Sequence, residues 1–274
     1  MIRTHIKLAS LIGLAFLSQT LRADTLVGPG GAFQPWTASV LGPASAPTYG
    51  GPYWNNFSGD SASGNIGWCL IGGGGCVIAS PPGAIAYYGT SSGASVQNMA
   101  FVSSGNVVAV SLLAQLTNQV GSAANPGYNV FGWYTINPNG TITATALWNS
   151  KTDSIGQFAT FNPGPAGTHY GLFLENIQGG GTAAEADYFW FMNSSSDHGA
   201  GTASNIDTSQ HFAIFSGTPG QYIIGMDDTN NGNQDYNNMV VELMVPEPST
   251  LLLLGVSFLV GALVIGSRRT RQTA

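Results

Sequence analysis

The chain has 274 residues, of which 43% are hydrophobic, 11% aromatic and only 7% charged. Between Asp24 and Met244, Lys151 is the single lysine or arginine against twelve acidic residues, so this region has a formal net charge of −11. This charge excludes nucleic-acid binding, because almost nothing is present to neutralise phosphates, and the apolar and aromatic content excludes a disordered chain.

The N-terminus has the features of a secretory signal peptide. Arg3 and Lys7 precede an apolar run over 8–17, and Ala23 supplies the small residue that a signal peptidase requires. We expect the Sec machinery to export the chain and signal peptidase to cut after Ala23. Residues 1–23 would then be removed, and the mature chain would begin at Asp24. The alternative is an uncleaved anchor helix.

The segment 24–244 is predicted to form one all-β domain. Runs rich in β-branched and aromatic residues recur between Gly-, Pro- and Asn-rich turns. The ten predicted strands span 67–71, 84–88, 107–116, 128–136, 141–148, 169–174, 186–192, 211–215, 222–226 and 239–245. The segment 24–244 shows no convincing helical periodicity with caps. Short strands at regular spacing favour a β-sandwich of jelly-roll type.

One segment gives the clearest local pattern within this domain. Asn137-Pro138-Asn139-Gly140 is the best candidate for a hairpin turn between two strands. After it, Thr143 and Thr145 alternate with apolar residues. Because successive side chains in a strand point to opposite faces, this alternation predicts a strand with one exposed and one buried face.

Cys69 and Cys76 are the only cysteines, and four consecutive glycines lie between them. In an oxidising compartment we expect them to form a disulfide, because the glycines allow a small loop to close with little steric resistance. A metal site would need partner ligands that the neighbouring sequence lacks. A catalytic thiol would leave the second cysteine unexplained.

Enzymatic signals are weak, and we expect no catalytic activity. Residues 89–93 fit G-x-S-x-G, but a nucleophile elbow needs a strand-to-helix turn in an α/β sheet, which a Gly- and Ser-rich loop does not provide. His211 lies in a strand pattern, where a hydrogen-bonded structural histidine is the commoner role. Glu175, Glu185 and Asp187 leave glycan hydrolysis as a third hypothesis, although nothing in the sequence sets their separation.

Aromatic residues suggest a binding function. The run 188–191 and the group of Trp36, Tyr53, Trp54 and Trp68 exceed what a plain sandwich needs. Exposed aromatic faces stack on sugar rings, whereas buried ones fill a core, which is the commoner role. Both interpretations remain open from the sequence.

An Asp- and Asn-rich segment over 227–238 is the densest polar cluster. Counted from Asp227, oxygen-bearing residues stand at positions 1, 3 and 5, with Gly232 at 6 and Asp235 at 9, a partial match to a calcium-binding EF-hand loop. Asn238 at position 12 and the lack of flanking helices rule out a true EF-hand. The alternatives are a looser calcium loop and an Asx-rich turn that caps the last strand. In the calcium loop, Ca²⁺ would be held by Asp227, Asp228, Asn231 and Asp235.

The same segment resembles a recurrent ending of secreted bacterial β-domains, in which an Asp-rich stretch leads into D-Y-N-D-M-V-V. Residues 235–241 read D-Y-N-N-M-V-V, with Asn238 in place of the second Asp. Two other segments, F-G-W-Y at 131–134 and H-F-A-I-F at 211–215, resemble further motifs of those domains. The resemblance covers residues 125–243 and implies no particular activity.

The C-terminus combines a short motif, an apolar span and a basic cluster. The eighteen uncharged residues 250–267 would rise about 27 Å as a helix, which nearly spans a bilayer core of roughly 30 Å. The basic cluster would lie in the cytoplasm and 24–244 outside it. The alternative is a buried core helix. The motif is Val245, Pro246, Glu247, Pro248 and Ser249, and the basic residues are Arg268, Arg269 and Arg271.

This order of parts over 245–271 resembles a PEP-CTERM sorting domain of Gram-negative bacteria. The resemblance implies recognition by an exosortase, cleavage at or near the motif, and transfer from the inner membrane to the cell surface or extracellular matrix. We therefore expect a non-enzymatic exported protein whose precursor has a periplasmic ectodomain. The alternative is a calcium-assisted module for adhesion or for binding extracellular polysaccharide.

Overall fold

Two antiparallel β-sheets contain most of the strands. The computed structural model describes residues 23–36, 52–55, 66, 70, 85–115, 121–122, 125–177, 188–199, 209–216, 220–228, 236 and 238–245. The strands are β1 (Thr25–Val27), β2 (Ala32–Trp36), β3 (Ile85–Gly89), β4 (Ala100–Val102), β5 (Val108–Gln115), β6 (Gly121–Ser122), β7 (Asn125–Pro126), β8 (Tyr128–Ile136), β9 (Ile142–Asn149), β10 (Phe158–Phe161), β11 (His169–Ile177), β12 (Tyr188–Phe191), β13 (His198–Gly199), β14 (Phe212–Ser216), β15 (Gln221–Met226) and β16 (Met239–Met244). Short 3₁₀ turns lie at Tyr53–Asn55 and Ser194–Ser196.

The first sheet, called here the β15 sheet, has the strand order β10-β5-β16-β15-β14-β3-β2. Its strands pair in antiparallel fashion, as in β15 with β16, where Ile224 faces Val241. Along β5, buried residues alternate with half-buried ones, because successive side chains point to opposite faces of the sheet. β14 is buried at four of its five positions, as expected for a strand inside the sheet.

The second sheet, called here the β11 sheet, is branched. β9 pairs with β8, and β8 pairs with one edge of β11 over its whole length. The other edge of β11 is shared, since His169 and Tyr170 pair with β4 while residues 173–176 pair with β12. Between these two partners, the Met192 N–H donates to the Leu172 carbonyl at 3.1 Å. β1 extends the sheet beyond β4, and β13 extends it beyond β12.

Side chains from both sheets meet in one apolar cluster. It contains Phe131 and Leu172 of the β11 sheet together with Val110 and Ile224 of the β15 sheet. Aromatic rings also stack across it. Trp133 of β8 lies 4.8 Å from Phe161 of β10, measured between ring centroids. Burial of these rings removes large apolar areas from water and favours the packing of the sheets. The all-β prediction is confirmed.

Nine of the ten predicted strands correspond to β3, β5, β8, β9, β11, β12, β14, β15 and β16. The predicted strand over 67–71 is wrong at Leu70, which has helical backbone geometry. The predicted hairpin is confirmed, because the Asn137 N–H donates to the Thr141 carbonyl at 2.8 Å and Gly140 has a φ of 81°. A positive φ of this size suits glycine, which has no Cβ.

β9 differs from its prediction. Residues 143–146 are all exposed, the alanines as well as the threonines, so this part of the strand has no buried face. The physical reason is its position. Within the described residues β9 pairs with β8 alone and therefore forms an edge of the sheet. The buried part of β9 comes later, where Trp148 stacks on Phe131 with 5.2 Å between ring centroids.

Both sheets and their apolar clusters lie within the compact unit Asp24–Val245. This segment therefore contains its own core, which is the requirement for a domain that folds independently. Residues 1–22 of the predicted signal peptide, the predicted span over 250–267, Cys69 and Cys76 lie outside the described residues. Within the part of the chain that the structure describes, no helix is long and apolar enough to cross a membrane.

Candidate functional site

The sorting motif begins inside the folded domain. Val245 directly follows β16, is 3% exposed and belongs to the main apolar cluster. Its N–H donates to the Gly220 carbonyl at 2.8 Å. Of the predicted sorting and orientation residues, Val245 is described. The others lie outside the described residues, namely Pro246, Glu247, Pro248, Ser249, Arg268, Arg269 and Arg271. The rest of the motif therefore starts directly after a core residue.

The other end of the domain is held by a buried carboxylate. Asp24 is 2% exposed. Its Oδ1 accepts hydrogen bonds from the Ser104 N–H at 2.7 Å and the Ser104 hydroxyl at 2.6 Å, and its Oδ2 accepts one from the Tyr170 hydroxyl at 2.6 Å. Burial and the nearby carboxylate raise the pKa of Tyr170 above its ordinary value, so Tyr170 stays a donor. These bonds connect the first residue of the domain to β11 and to the segment after β4.

A second buried carboxylate lies where β15 ends. Asp228 is 3% exposed, and its Oδ2 accepts a hydrogen bond of 2.7 Å from the Asn129 amide on β8. The Asn176 amide on β11 donates to the Asp228 carbonyl at 2.5 Å. The Asp228 N–H lies 3.4 Å from Asn238 Oδ1. Side-chain amides from β8 and β11 of the β11 sheet, and from Asn238 directly before β16, therefore converge on Asp228. Its Oδ1 has no hydrogen-bond partner among the described residues.

His211 lies next to this cluster and connects the two sheets. The Asp227 N–H donates to the His211 carbonyl at 3.0 Å, and His211 Nδ1 lies 3.0 Å from the Asp227 carbonyl oxygen. The imidazole stacks on Trp190 of β12 with 3.8 Å between ring centroids and 14° between planes. This structural role agrees with the hydrogen-bonded histidine that the strand pattern predicts.

The electrostatics of this cluster centre on one carboxyl group. The pKa of Asp228 is raised from 3.8 to about 6. Burial is the largest cause, because a charged carboxylate is poorly solvated in the interior. The negative charge of Asp227 contributes to this rise, whereas the Asn129 hydrogen bond and His211 oppose it. An Asp228 carboxylate at neutral pH is therefore an incompletely compensated buried charge. A cation or a proton would reduce that cost.

The predicted calcium ligands divide into two sets. Asp227 and Asp228 lie together and are buried, while Asn231 and Asp235 lie outside the described residues. Within the described residues, no group of three His, Cys, Asp or Glu side chains could hold a metal ion. The sequence pattern did not indicate Asn129 and Asn176 as members of this cluster. Each is a polar residue within a predicted or observed strand, which by itself does not point to a site.

The residues considered for catalysis do not form a site in the described chain. Ser91 is exposed in a turn, closed by a bond from the Gly93 N–H to the Thr90 carbonyl at 3.0 Å, and no strand-to-helix elbow is present in 85–102. Glu175 is half-buried on β11 between β8 and β12. Glu185 and Asp187 lie outside the described residues.

Four of the eight aromatic residues proposed for glycan binding are buried and serve the core. They are Tyr53, Trp54, Trp190 and Phe191. Trp54 packs edge-on against Phe215 with 5.1 Å between ring centroids. The interpretation of these side chains as an exposed sugar-binding surface is therefore wrong for these residues. Trp36, Trp68 and Tyr188 have no described side chains.

Comparison with known proteins identifies the tail. Residues 245–269 match the family model described as the PEP-CTERM protein-sorting motif. No curated protein and no solved structure is detectably similar to the chain. The match confirms the predicted sorting motif and spans the tail that begins at Val245.

Proposed function

We propose that this PEP-CTERM protein is a non-enzymatic protein of the cell surface or extracellular matrix, and that an exosortase cuts it at residues 245–249. The match of residues 245–269 to the sorting motif carries the proposal. Sec export and signal peptidase cleavage after Ala23 would precede sorting. The inner membrane would hold residues 250–267 of the precursor, with the basic cluster on the cytoplasmic side.

The position of Val245 supports processing of a folded domain. β16 ends at Met244, and Val245 is the last described residue. A cut after Val245 would leave every described strand and the main apolar cluster in the released product. Release would therefore not require the loss of any strand. We interpret this domain as a jelly-roll-like β-sandwich, because side chains of both sheets share one cluster.

Replacement of Pro246, Glu247 and Pro248 by alanine tests the sorting proposal. In the native host, the variant should accumulate as full-length protein in the membrane fraction, because the recognition motif is lost. Mass spectrometry of the wild-type mature ends should give Asp24 as the first residue and a last residue within 245–249. A matched control with Thr270→Ala and Gln272→Ala should be processed normally. Processing of the motif variant at the wild-type rate would contradict the proposal.

A second candidate function is calcium-assisted binding of an extracellular polysaccharide. One observation favours a bound cation, since Asp228 Oδ1 is buried without a hydrogen-bond partner among the described residues and lies beside Asp227. Hard cations such as Ca²⁺ prefer carboxylate oxygens. Calcium should then raise the melting temperature of wild type but not of Asp228→Asn, with magnesium as the control ion. If calcium does not raise the wild-type melting temperature, this candidate is eliminated.

A further inference from the structure

The outer edge of β9 is an unusual feature of the β11 sheet. Within the described residues, β9 pairs with β8 and with no other strand. The side chains of 143–146 are all exposed. A strand in this position presents a row of backbone donors and acceptors to solvent, which can pair with another chain.

The hairpin determines which backbone groups point outward. Thr141 accepts a hydrogen bond from Asn137 across the hairpin, so its carbonyl points towards β8. Backbone groups of successive residues in an antiparallel strand alternate between the two edges. The N–H and C=O groups of Thr143 and Thr145 therefore point towards β8. Those of Ile142, Ala144 and Ala146 point away from the sheet.

Between Ile142 and Ala146, β9 has no charge, proline or bulge, which are features that usually protect an edge. Ile142–Asn149 contains no charged residue and no proline. Its pairing is regular from Ile142 to Ala146, and the register shifts only beyond Ala146. The other edge strands are shorter, with three residues in β1, two in β13, four in β10 and five in β2, which contains Pro35. Among the described edges, β9 is thus the longest and the least protected.

We propose that β9 is the interface of a homodimer, in which the β9 strands of two copies pair in antiparallel fashion about Ala144. In this two-fold register Ala144 faces Ala144 of the second copy, Thr143 faces Thr145, and Ile142 faces Ala146. Each outward N–H then meets an outward C=O of the other strand. The register joins two seven-stranded sheets into one continuous sheet.

The side chains suit a second copy of this chain as the occupant. Because β9 has no charged residue, the register brings no like charges together. Threonine pairs with threonine across the two strands, which is a favourable pairing. Such an interface is isologous and closes on itself, so it yields a dimer and not a fibre. Ile142 and Ala144 also line a depression of about 380 Å³ beside Phe189 and Phe191. A second β9 strand would extend the apolar edge of this depression.

Charge substitutions at Ala144 test the proposal, because residue 144 meets itself in the two-fold register. The chain from Asp24 to Val245 should show a concentration-dependent dimer in sedimentation equilibrium. Ala144→Lys and Ala144→Glu should each weaken it by about tenfold or more, since like charges face each other. An equal mixture of the two variants should form the mixed dimer, because lysine then faces glutamate. Recovery in the mixture would also show that both variants fold.

Val107→Lys is the matched control, because Val107 is 50% exposed and lies outside β9. This control adds the same charge as Ala144→Lys and should dimerise like wild type.

Higher salt should strengthen the dimer, since each domain has a large negative charge and salt screens the repulsion between the two domains. Three outcomes would overturn the proposal: a wild-type chain that stays monomeric to about 1 mM, an Ala144→Lys variant that dimerises like wild type, or an equal mixture that does not recover the dimer.

Discussion

Asp228→Asn is expected to stabilise the domain at neutral pH. The substitution keeps an oxygen that can accept the hydrogen bond of 2.7 Å from Asn129. It removes the negative charge of a side chain that is 3% exposed. Because an amide is neutral at every pH used, the variant does not incur the cost of ionising a carboxyl group in the interior.

The magnitude follows from the raised pKa. The pKa of Asp228 is about 6 in the folded state and 3.8 as its ordinary value, a difference of roughly two units. One unit corresponds to about 1.4 kcal/mol, so ionised Asp228 costs the native state about 3 kcal/mol. In the variant, an amide nitrogen would replace Oδ1, which lacks a partner among the described residues. A buried amide N–H without an acceptor costs about 1 to 2 kcal/mol, which reduces the gain in stability. The net gain at about pH 7.5 is therefore about 1 to 2 kcal/mol.

The difference in stability between Asp228→Asn and wild type should change sign with pH. Between about pH 4 and pH 6 the native carboxyl group of Asp228 binds a proton that the unfolded one does not. The contribution of Asp228 to the free energy of unfolding is therefore largest below about pH 4, and it is lost as the pH rises towards 6. Asp228→Asn lacks this contribution. The variant should be more stable than wild type near pH 7.5 and less stable near pH 4.

Urea denaturation of the 24–245 domain at several pH values, in the presence of a chelator, measures this difference. Asn129→Ala provides a companion variant of opposite sign. It removes the donor that favours the ionised form of Asp228, so its loss of stability should be larger at pH 7.5 than at pH 4. If Asp228→Asn destabilises the domain equally at both pH values, the reasoning about Asp228 is refuted.

The remaining predictions concern a buried carboxylate, Asp24, and two glycines, Gly132 and Gly140. Asp24→Ala should lower the free energy of unfolding by about 3 to 5 kcal/mol in urea denaturation, because the buried Tyr170 hydroxyl and the Ser104 N–H lose their acceptor. Asp24→Asn keeps one acceptor oxygen and should lose about half as much, and equal losses would contradict the argument from the lost acceptor. Gly132→Ala should cost about 3 kcal/mol or more, since its Cβ would lie 2.2 Å from the Thr145 carbonyl oxygen. Gly140→Ala, with a positive φ but open space, should cost only about 1 kcal/mol, and equal costs would contradict the steric argument.

The fold was largely predictable where strands have apolar or β-branched runs. The 128–136 prediction coincides with β8, and 169–174 falls within β11. Seven of the described strands were not predicted, and each is five residues long or shorter: β1, β2, β4, β6, β7, β10 and β13. A period of two cannot be recognised over two or three residues, and the slightly longer β2 and β10 lack an alternating apolar pattern that stands out from the neighbouring turns. Their conformation depends on pairing with partners distant in the chain, such as β1 with β4.

The buried polar cluster was predictable only in part. The sequence singled out Asp227 and Asp228 because they are neighbours in an Asp- and Asn-rich segment. It did not indicate Asn129, which is 99 residues from Asp228, because a hydrogen bond between distant residues leaves no local pattern. The sequence left open whether the aromatic residues are exposed or buried, and the structure buries Trp190, which stacks on His211 inside the domain.

The sequence by itself determined the sorting motif, the all-β class and the acidic character of the ectodomain. The motif and the strand patterns can be recognised from neighbouring residues, and the net charge is a sum over residues. The tertiary structure decided which residues become buried and which strand becomes an edge. Val245 is both the first residue of the motif and a core residue, and β9 is exposed because β8 is its only described neighbour. Burial and strand pairing depend on contacts between segments far apart in the chain, and no local pattern encodes them.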